Sequence, residues 1–229
     1  MKSQTIKSAL LLFVGLLALG CGTSIKVADA WKSPESAKMK DSNILVIART
    51  QNKTSRMTFE RELTDQLLAR GLRATASFSR FPNYDPDAEM TEERQKMIRF
   101  ILENEGYDGV VVSVLKDKRD RTVTTVNDNY YGGYYGGPWN NYYPSYYGGF
   151  YNYYYRPYAY TYSVGISTGP TSSTYTSTTY YLETAAYDLR ENKEGELMAV
   201  VTSEITDPND VHKTAAKYAQ KVVESLEKR

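Results

Sequence analysis

Two side chains of the types that most often do chemistry occur once each in the chain, Cys21 and His212. Thiols and imidazoles act as nucleophiles, general bases and metal ligands. One cysteine excludes an internal disulfide and any site built from several cysteines, and one histidine excludes the usual zinc sites with several histidines. His212 lies near the start of the last predicted helix without a second histidine, so we interpret it as a surface residue. We predict no metal and no cofactor.

Carboxylates are the other candidates for catalysis. Glu60, Glu62 and Asp65 lie on the first predicted helix but face more than one direction, which is typical of a solvated surface. The chain has no phosphate-binding loop, no dinucleotide-binding motif and no serine in a nucleophile-elbow motif. We therefore predict that the protein is not an enzyme.

The only cysteine ends a segment with the features of a secretion signal. Lys2 and Lys7 precede an apolar run at residues 9–19, which is too short to span a bilayer as a helix but suits the hydrophobic region of a signal peptide. The run ends in the sequence ALGC at residues 18–21, with small residues before the cysteine, and this resembles the bacterial lipoprotein signal. Alanine at the third position before the cysteine departs from the usual leucine.

The resemblance implies a lipid anchor at Cys21. In that family the cysteine thiol receives a diacylglycerol, the signal (here residues 1–20) is removed, and the new amine is acylated. Two or three acyl chains hold a protein on a membrane, because each buried methylene contributes about 0.8 kcal/mol. Gly22 follows instead of the aspartate associated with inner-membrane retention, so we predict an outer-membrane anchor with the domain facing the periplasm. The alternative is a buried free cysteine behind an ordinary secretion signal.

Residues 21–41 are polar and contain Pro34, so we interpret them as a tether between the lipid and the domain. Twenty flexible residues have an r.m.s. span of roughly 25 Å. The sequence leaves open whether Ile25, Val27 and Trp31 dock on the domain instead.

Residues 42–229 have the pattern of a single α/β (α+β) domain. Gly71 and Gly106 fall where left-handed helix caps are expected, and Thr91 and Asp207 are placed to begin helices. The predicted strands are residues 43–48, 72–78, 109–115, 177–190 and 197–205, and the last two form a hairpin. The elements follow the order β-α-β-α-β, insertion, β-β-α. We therefore predict a mixed sheet of about five strands with helices packed on it, the first three strands being parallel.

An insertion at about residues 127–170 separates the third strand from the hairpin. Residues 130–162 contain 15 tyrosines and 6 glycines, with Arg156 as the only charge. No helical or strand period fits the centre, but alternation at residues 122–126 and 160–166 is typical of the arms of a projecting β-ribbon. Exposed tyrosines make good binding surfaces, although a tolerated low-complexity loop has the same composition. The candidate partner-binding residues are Tyr134, Tyr135, Trp139, Tyr142, Tyr143, Tyr146, Tyr147, Tyr153 and Tyr154.

The layout resembles a family of uncharacterised bacterial lipoproteins of the domain-of-unknown-function type. The resemblance consists of the Cys21 signal and a domain pattern over residues 42–228. The matching segments of the domain are NILVIA at residues 43–48, LARG at residues 68–71 and GYDGVVV at residues 106–112. The order of elements also resembles the N-terminal α/β domain of the periplasmic protein TolB. Related domains occur in lipoproteins that activate peptidoglycan synthases and in the curli-secretion lipoprotein. The resemblance implies a non-catalytic envelope module that binds a partner, and it supplies no catalytic residue.

We therefore expect a lipid-anchored cell-envelope lipoprotein that acts as a non-catalytic binding or assembly module. Its acyl chains would lie in the membrane, and its partner would be another envelope protein or peptidoglycan. The alternative is a lipoprotein that contacts peptidoglycan or another glycan through the tyrosines of the insertion, and a remote alternative is an envelope hydrolase. Nucleic acid is excluded as a partner because removal of residues 1–20 leaves 26 basic side chains against 27 acidic ones.

Overall fold

A six-stranded mixed sheet forms the centre of the protein. The computed structural model describes residues 23–86, 88–124, 149–155, 174–190 and 195–227. The strands are β1 (Ser24–Lys32), β2 (Asn43–Arg49), β3 (Arg73–Ala76), β4 (Gly109–Thr124), β5 (Thr174–Asp188) and β6 (Glu196–Thr206). The helices are α1 (Lys53–Leu68), α2 (Ser77–Arg80), α3 (Glu92–Asn104), α4 (Gly149–Tyr155) and α5 (Val211–Glu227), with a 3₁₀ helix at Pro34–Asp41. The predicted α/β class with a mixed sheet and packed helices is confirmed.

The strand order is β1-β6-β5-β4-β2-β3. Strand β2 pairs in parallel with both β3 and β4, which confirms the parallel arrangement expected of two β-α-β crossovers. Strands β5 and β6 pair antiparallel, as the hairpin prediction required. Strand β4 lies inside the sheet between β2 and β5, where its apolar sequence can be buried on both faces.

Helices cover both faces of the sheet, so the protein has two apolar cores. Along β4, Val110 and Val112 face one core and Val111 faces the other, as expected from the alternation of a strand. Helices α3 and α4 cover the first core, to which they contribute Ile98 and Phe150. Helices α1 and α5 cover the second core and pack against each other. Among the described residues, the helices are too short or too polar to cross a membrane.

The predicted tether at residues 21–41 is wrong for residues 24–41, which form β1 and the 3₁₀ helix. Strand β1 pairs antiparallel with β6 and buries Ile25 and Ala30, which are 5% and 4% exposed. Ser33 caps the 3₁₀ helix by accepting a hydrogen bond from the Glu35 N–H at 3.2 Å. The strand satisfies backbone groups of β6 that would otherwise form the sheet edge, and it accounts for the sixth strand.

Of the predicted helix caps, one is misplaced. Gly71 and Gly106 have φ values of +78° and +72°, as predicted for left-handed caps. Asp207, however, bonds to β5, because its carboxylate accepts from the Thr178 N–H at 2.8 Å. Helix α5 begins at Val211 instead, capped by the residue before it.

The insertion is partly helical, although no helical period was expected at its centre. Residues 149–155 form α4, and its aromatic side chains pack into the first core rather than into solvent. A β-ribbon is present, in which β4 and β5 stay paired out to Thr124 and Thr174, and its first arm includes residues 122–124 of the first predicted arm. Its second arm is the start of β5, whereas residues 160–166 lie outside the described residues.

Candidate functional site

Three strands point their carboxyl ends towards one side of the sheet, and two long helices begin there. Strand β4 is parallel to β2 and antiparallel to β5, and β5 is antiparallel to β6, so β2, β4 and β6 run in one direction. Helix α1 follows β2, and α5 follows β6. The N-termini of both helices therefore lie at the carboxyl ends of these strands, the region where open α/β sheets commonly bind ligands.

A cleft of about 390 Å³ opens at this end of the sheet. Helix α1 contributes Phe59 to its lining, α5 contributes Val211, and the strands contribute Leu115, Leu182 and Ile205. Leu115 is 37% exposed and is one of the few large apolar side chains at the surface of the described residues. A concave and mainly apolar lining suits an apolar ligand or an apolar segment of a partner protein.

The helix N-termini at the cleft are capped by side chains of the protein itself. Asn52 Oδ1 accepts from the Ser55 N–H at 2.9 Å at the start of α1. Asp210 Oδ1 accepts from the N–H groups of His212 and Lys213 at 2.9 and 3.0 Å at the start of α5. These two bonds hold the pKa of the Asp210 carboxyl below its usual value, and the bond from Lys213 has the larger effect. Three of the N–H groups that could bind an anion are therefore occupied, and Asp210 adds negative charge to the rim, so the cleft is less suited to phosphate than to an apolar ligand.

A chain of buried hydroxyls joins the floor of the cleft to α5. Ser113 lines the cleft, and its hydroxyl is hydrogen-bonded to Thr184 Oγ1 at 2.7 Å. Thr184 Oγ1 is in turn hydrogen-bonded to the Tyr218 hydroxyl at 2.6 Å. Burial raises the pKa of Tyr218 to about 12, so this hydroxyl is neutral at physiological pH. Thr214 Oγ1, also in the lining, is buried without a hydrogen-bond partner among the described residues. The hydroxyl chain fixes β4, β5 and α5 relative to one another.

The chain enters the fold at the rim of the cleft. Thr23 Oγ1 donates to Asn209 Oδ1 at 3.2 Å, and Lys217 Nζ donates to the Thr23 carbonyl at 3.2 Å. Ser24, the first residue of β1, pairs with Thr206 at the end of β6. The start of the described chain is therefore tied to the loop between β6 and α5, part of which lines the cleft.

A buried ion pair joins α1 to the sheet. Arg56 and Glu60 are 2% and 0% exposed, and Arg56 Nε lies 3.0 Å from Glu60 Oε1. Glu60 also accepts from the Ala48 N–H at 3.1 Å, the Ser77 hydroxyl at 2.8 Å and the Phe78 N–H at 2.5 Å. The interpretation of Glu60 as a solvated surface residue is therefore wrong. Burial raises the pKa of the Glu60 carboxyl, and the two backbone N–H groups and Arg56 oppose that increase.

The same ion pair explains why β3 is shorter than predicted. The sequence predicted a strand over residues 72–78, but β3 ends at Ala76 and α2 begins at Ser77. Arg56 donates to Ser77 Oγ at 2.9 Å, and Glu60 accepts from Ser77 and Phe78. These bonds turn the chain out of the sheet, so the pair has a structural role.

A second buried cluster holds α4 in the first core. Tyr153 donates its hydroxyl to Glu183 Oε1 at 2.6 Å, and Lys116 Nζ lies 3.4 Å from the same oxygen. Burial lowers the pKa of Lys116, and Glu183 opposes that decrease. Arg49 donates to the Tyr154 carbonyl at 2.6 Å. The helix of the insertion is therefore part of the folded domain and not an appendage.

The sequence-predicted site residues are only partly covered by the structure. Tyr153 and Tyr154 are 0% and 1% exposed, so their interpretation as exposed partner-binding residues needs correction. The physical reason is the spacing of the four buried aromatics of α4, at positions 150, 151, 153 and 154, which places them on one side of a short helix. Cys21 and the candidate residues between positions 134 and 147 lie outside the described residues. His212 is exposed in the first turn of α5.

Sequence reasoning missed the cleft and the buried ion pair. Arg56 and Glu60 are four residues apart, and Leu63 and Leu67 continue the same stripe along α1. Helical spacing from the predicted apolar stripe could therefore have identified both charges as buried. The cleft had no comparable signal, because its lining comes from six helices and strands that are distant in the sequence.

Comparison with known proteins finds structural likeness only. No family model matches the chain, and no curated protein matches it. A PelC dodecamer from Paraburkholderia phytofirmans has a TM-score of 0.41 and 9% identity, covering 91% of this chain and 99% of that one. A DUF4136 family protein from Bacteroides thetaiotaomicron has a TM-score of 0.38 and 12% identity, covering 91% of this chain and 97% of that one. Likeness at this level assigns no function to the chain.

Proposed function

We propose that the chain is a lipid-anchored lipoprotein of the cell envelope that acts as a non-catalytic binding or assembly module through the cleft. The observation that carries the proposal is the position of the chain's entry point at the cleft rim, where Thr23 bonds to Asn209. Cys21, the residue that the signal sequence predicts to be lipidated, precedes Thr23 by two positions. Two residues of extended chain span at most about 7 Å.

A lipid on Cys21 would therefore hold the cleft close to the membrane surface. The partner that fits this placement is an envelope protein at the same surface that presents an apolar segment. The lining favours such a segment, since it offers Phe59, Leu115 and Val211 and its helix N-termini are already capped.

The buried ionisable groups support binding in preference to catalysis. Arg56 and Glu60 join α1 to β2 and to the turn after β3, and Lys116 and Glu183 hold the aromatic helix α4. Each of these groups has a structural contact that accounts for its burial. A perturbed pKa at such a position reflects an ion-pair network of the fold, which is a common alternative to a catalytic role.

Cross-linking from the cleft tests this proposal. A photoreactive amino acid at Leu115 should give a discrete adduct with one envelope protein when the full chain is expressed in a Gram-negative host. The same amino acid at Phe100, which is 64% exposed on the outside of α3, should not give that adduct. Mass spectrometry of the adducts identifies the partner.

The matched variant for this experiment is Ser55→Trp in the photoreactive Leu115 chain. Ser55 lines the cleft, so an indole at this position should fill it and abolish the adduct. Identical adducts from both photoreactive positions, or an adduct that persists after the cleft is filled, would show that the cleft is not the binding surface. Adducts with glycan strands alone would favour the peptidoglycan-contacting alternative.

A further inference from the structure

Strand β4 continues well beyond its neighbour β2. Pairing between the two strands ends at Arg49 and Val114, whereas β4 runs on to Thr124 with β5 on its other side. Among the described residues, no strand pairs with residues 115–124 on the side that β2 leaves open. This edge therefore carries backbone donors and acceptors that a further strand can engage.

Charges alternate along this edge in a pattern that is complementary to itself. Residues 117–121 read DKRDR. If a second copy lies antiparallel with a twofold axis at Arg119, Lys118 of each copy faces Asp120 of the other, and Asp117 faces Arg121. Opposite charges that face each other across antiparallel strands attract, and like charges repel.

Neighbouring registers are less complementary. In a regular antiparallel ladder between two identical strands, the twofold axis passes through a residue of each strand. The nearest alternative registers therefore have their axis at Lys118 or at Asp120. The first places Lys118 opposite Lys118 and keeps opposite charges only between Asp117 and Arg119, since Lys116 is buried against Glu183. The second places Asp120 opposite Asp120 and Arg119 opposite Arg121. Charge therefore selects the register centred on Arg119.

We propose that two copies of this chain pair through the outer part of β4 in the register centred on Arg119. The two arginines at the axis are each neutralised within their own chain, because Arg119 Nε lies 2.7 Å from Asp117 Oδ2 and the guanidinium stacks 5.0 Å from the Tyr181 ring. Lys118 and Asp120 lie 3.7 Å apart within one chain, and their side chains are 50% and 56% exposed, so they can exchange this contact for the same contact with the second copy. The pairing goes beyond the proposed function and does not depend on the lipid anchor.

A local hydrogen bond protects the edge before pairing. The Lys118 N–H donates to Asp117 Oδ1 at 2.8 Å, which is a common way to satisfy an exposed edge group. On pairing, the Lys118 N–H donates to a backbone carbonyl of the second copy instead. The Asp117 carboxylate then lies between Arg119 of its own chain and Arg121 of the second copy. The charged edge of β4 thus disfavours pairing with most other strands but allows pairing with the same strand of a second copy.

Complementary charge variants test the proposal on the full chain in detergent solution. The acidic variant carries Lys118→Glu and Arg121→Glu, and the basic variant carries Asp117→Lys and Asp120→Lys. Analytical ultracentrifugation should show a wild-type dimer, and the dissociation constant of each variant alone should rise at least about tenfold because like charges then face each other. An equimolar mixture of the two variants should form a heterodimer, which also shows that both have folded.

The control variant carries Lys53→Glu and Lys213→Glu, two exposed substitutions that make the same change in net charge as the acidic variant. It should dimerise as the wild type does. A monomeric wild type at concentrations up to the solubility limit would overturn the proposal. Self-association of either charge variant at wild-type strength would overturn it equally.

Discussion

Replacing Arg56 by methionine should lower the free energy of unfolding by about 3–5 kcal/mol, because it leaves the Glu60 carboxylate buried without its cation. The loss should exceed that of an ordinary surface charge, since Arg56 also donates to the Ser77 hydroxyl and to backbone carbonyls of the loop after α2. Urea denaturation followed by circular dichroism measures the effect. The matched control is Arg61→Met on the same helix, where the side chain is 57% exposed and the expected change is below about 0.5 kcal/mol.

The pH dependence of this loss separates charge from packing. A carboxyl group whose pKa is raised by folding contributes its full stability below its unfolded pKa of about 4.5 and loses it as pH rises through the folded pKa. Burial raises the pKa of Glu60, and Arg56 opposes that increase, so removing Arg56 raises the pKa further. The deficit of Arg56→Met against the wild type should therefore be smaller at about pH 4 than at about pH 7. A deficit that does not change with pH would mean that the loss is one of packing alone.

Replacing Phe150 by alanine should cost about 3–5 kcal/mol, which is the range for truncation of a fully buried aromatic side chain. Phe150 is 0% exposed, and its ring centroid lies 5.6 Å from that of Tyr187 on β5 and 5.4 Å from that of Tyr154. Asn152→Ala on the exposed side of the same helix should change stability by less than about 0.5 kcal/mol. If Phe150→Ala costs under about 1 kcal/mol, α4 is not part of the core and the insertion is an appendage.

Local patterns predicted most of the sheet correctly. The apolar sequence at residues 109–115 indicated an inner strand, and β4 is one. Gly71 and Gly106 were recognisable because only glycine adopts positive φ without strain, and both do. Such sequence patterns predict structure correctly because they depend only on residues that are near in the sequence.

Features that depend on distant residues were missed. Strand β1 mixes apolar and charged residues, and it is a strand because β6 offers an edge for it to pair with. Asp207 has the right neighbours for a helix cap, yet its carboxylate bonds to Thr178 on another strand. Helix α4 is ordered by contacts with Glu183 and Tyr187, which no local period could reveal.

Several features gather at one end of the domain. The cleft, the entry of the chain at Thr23 and the base of the β-ribbon at Leu115 all lie where β2, β4 and β6 direct their carboxyl ends. An anchor attached just before Thr23 would therefore bring both the cleft and the self-complementary edge near a membrane. Confinement to that surface raises the effective concentration of two copies and so favours their pairing.

Intact mass and membrane partition of the wild type against Cys21→Ser, both expressed in a Gram-negative host, test the lipid anchor most directly. We predict that the wild type lacks residues 1–20, carries the added mass of acyl chains and partitions with the membrane. Cys21→Ser should carry no acyl mass and should not be held on the membrane by lipid. A wild type of unmodified mass that remains in the soluble fraction would contradict the account, because Cys21 would then be an ordinary residue and nothing would hold the cleft at a membrane.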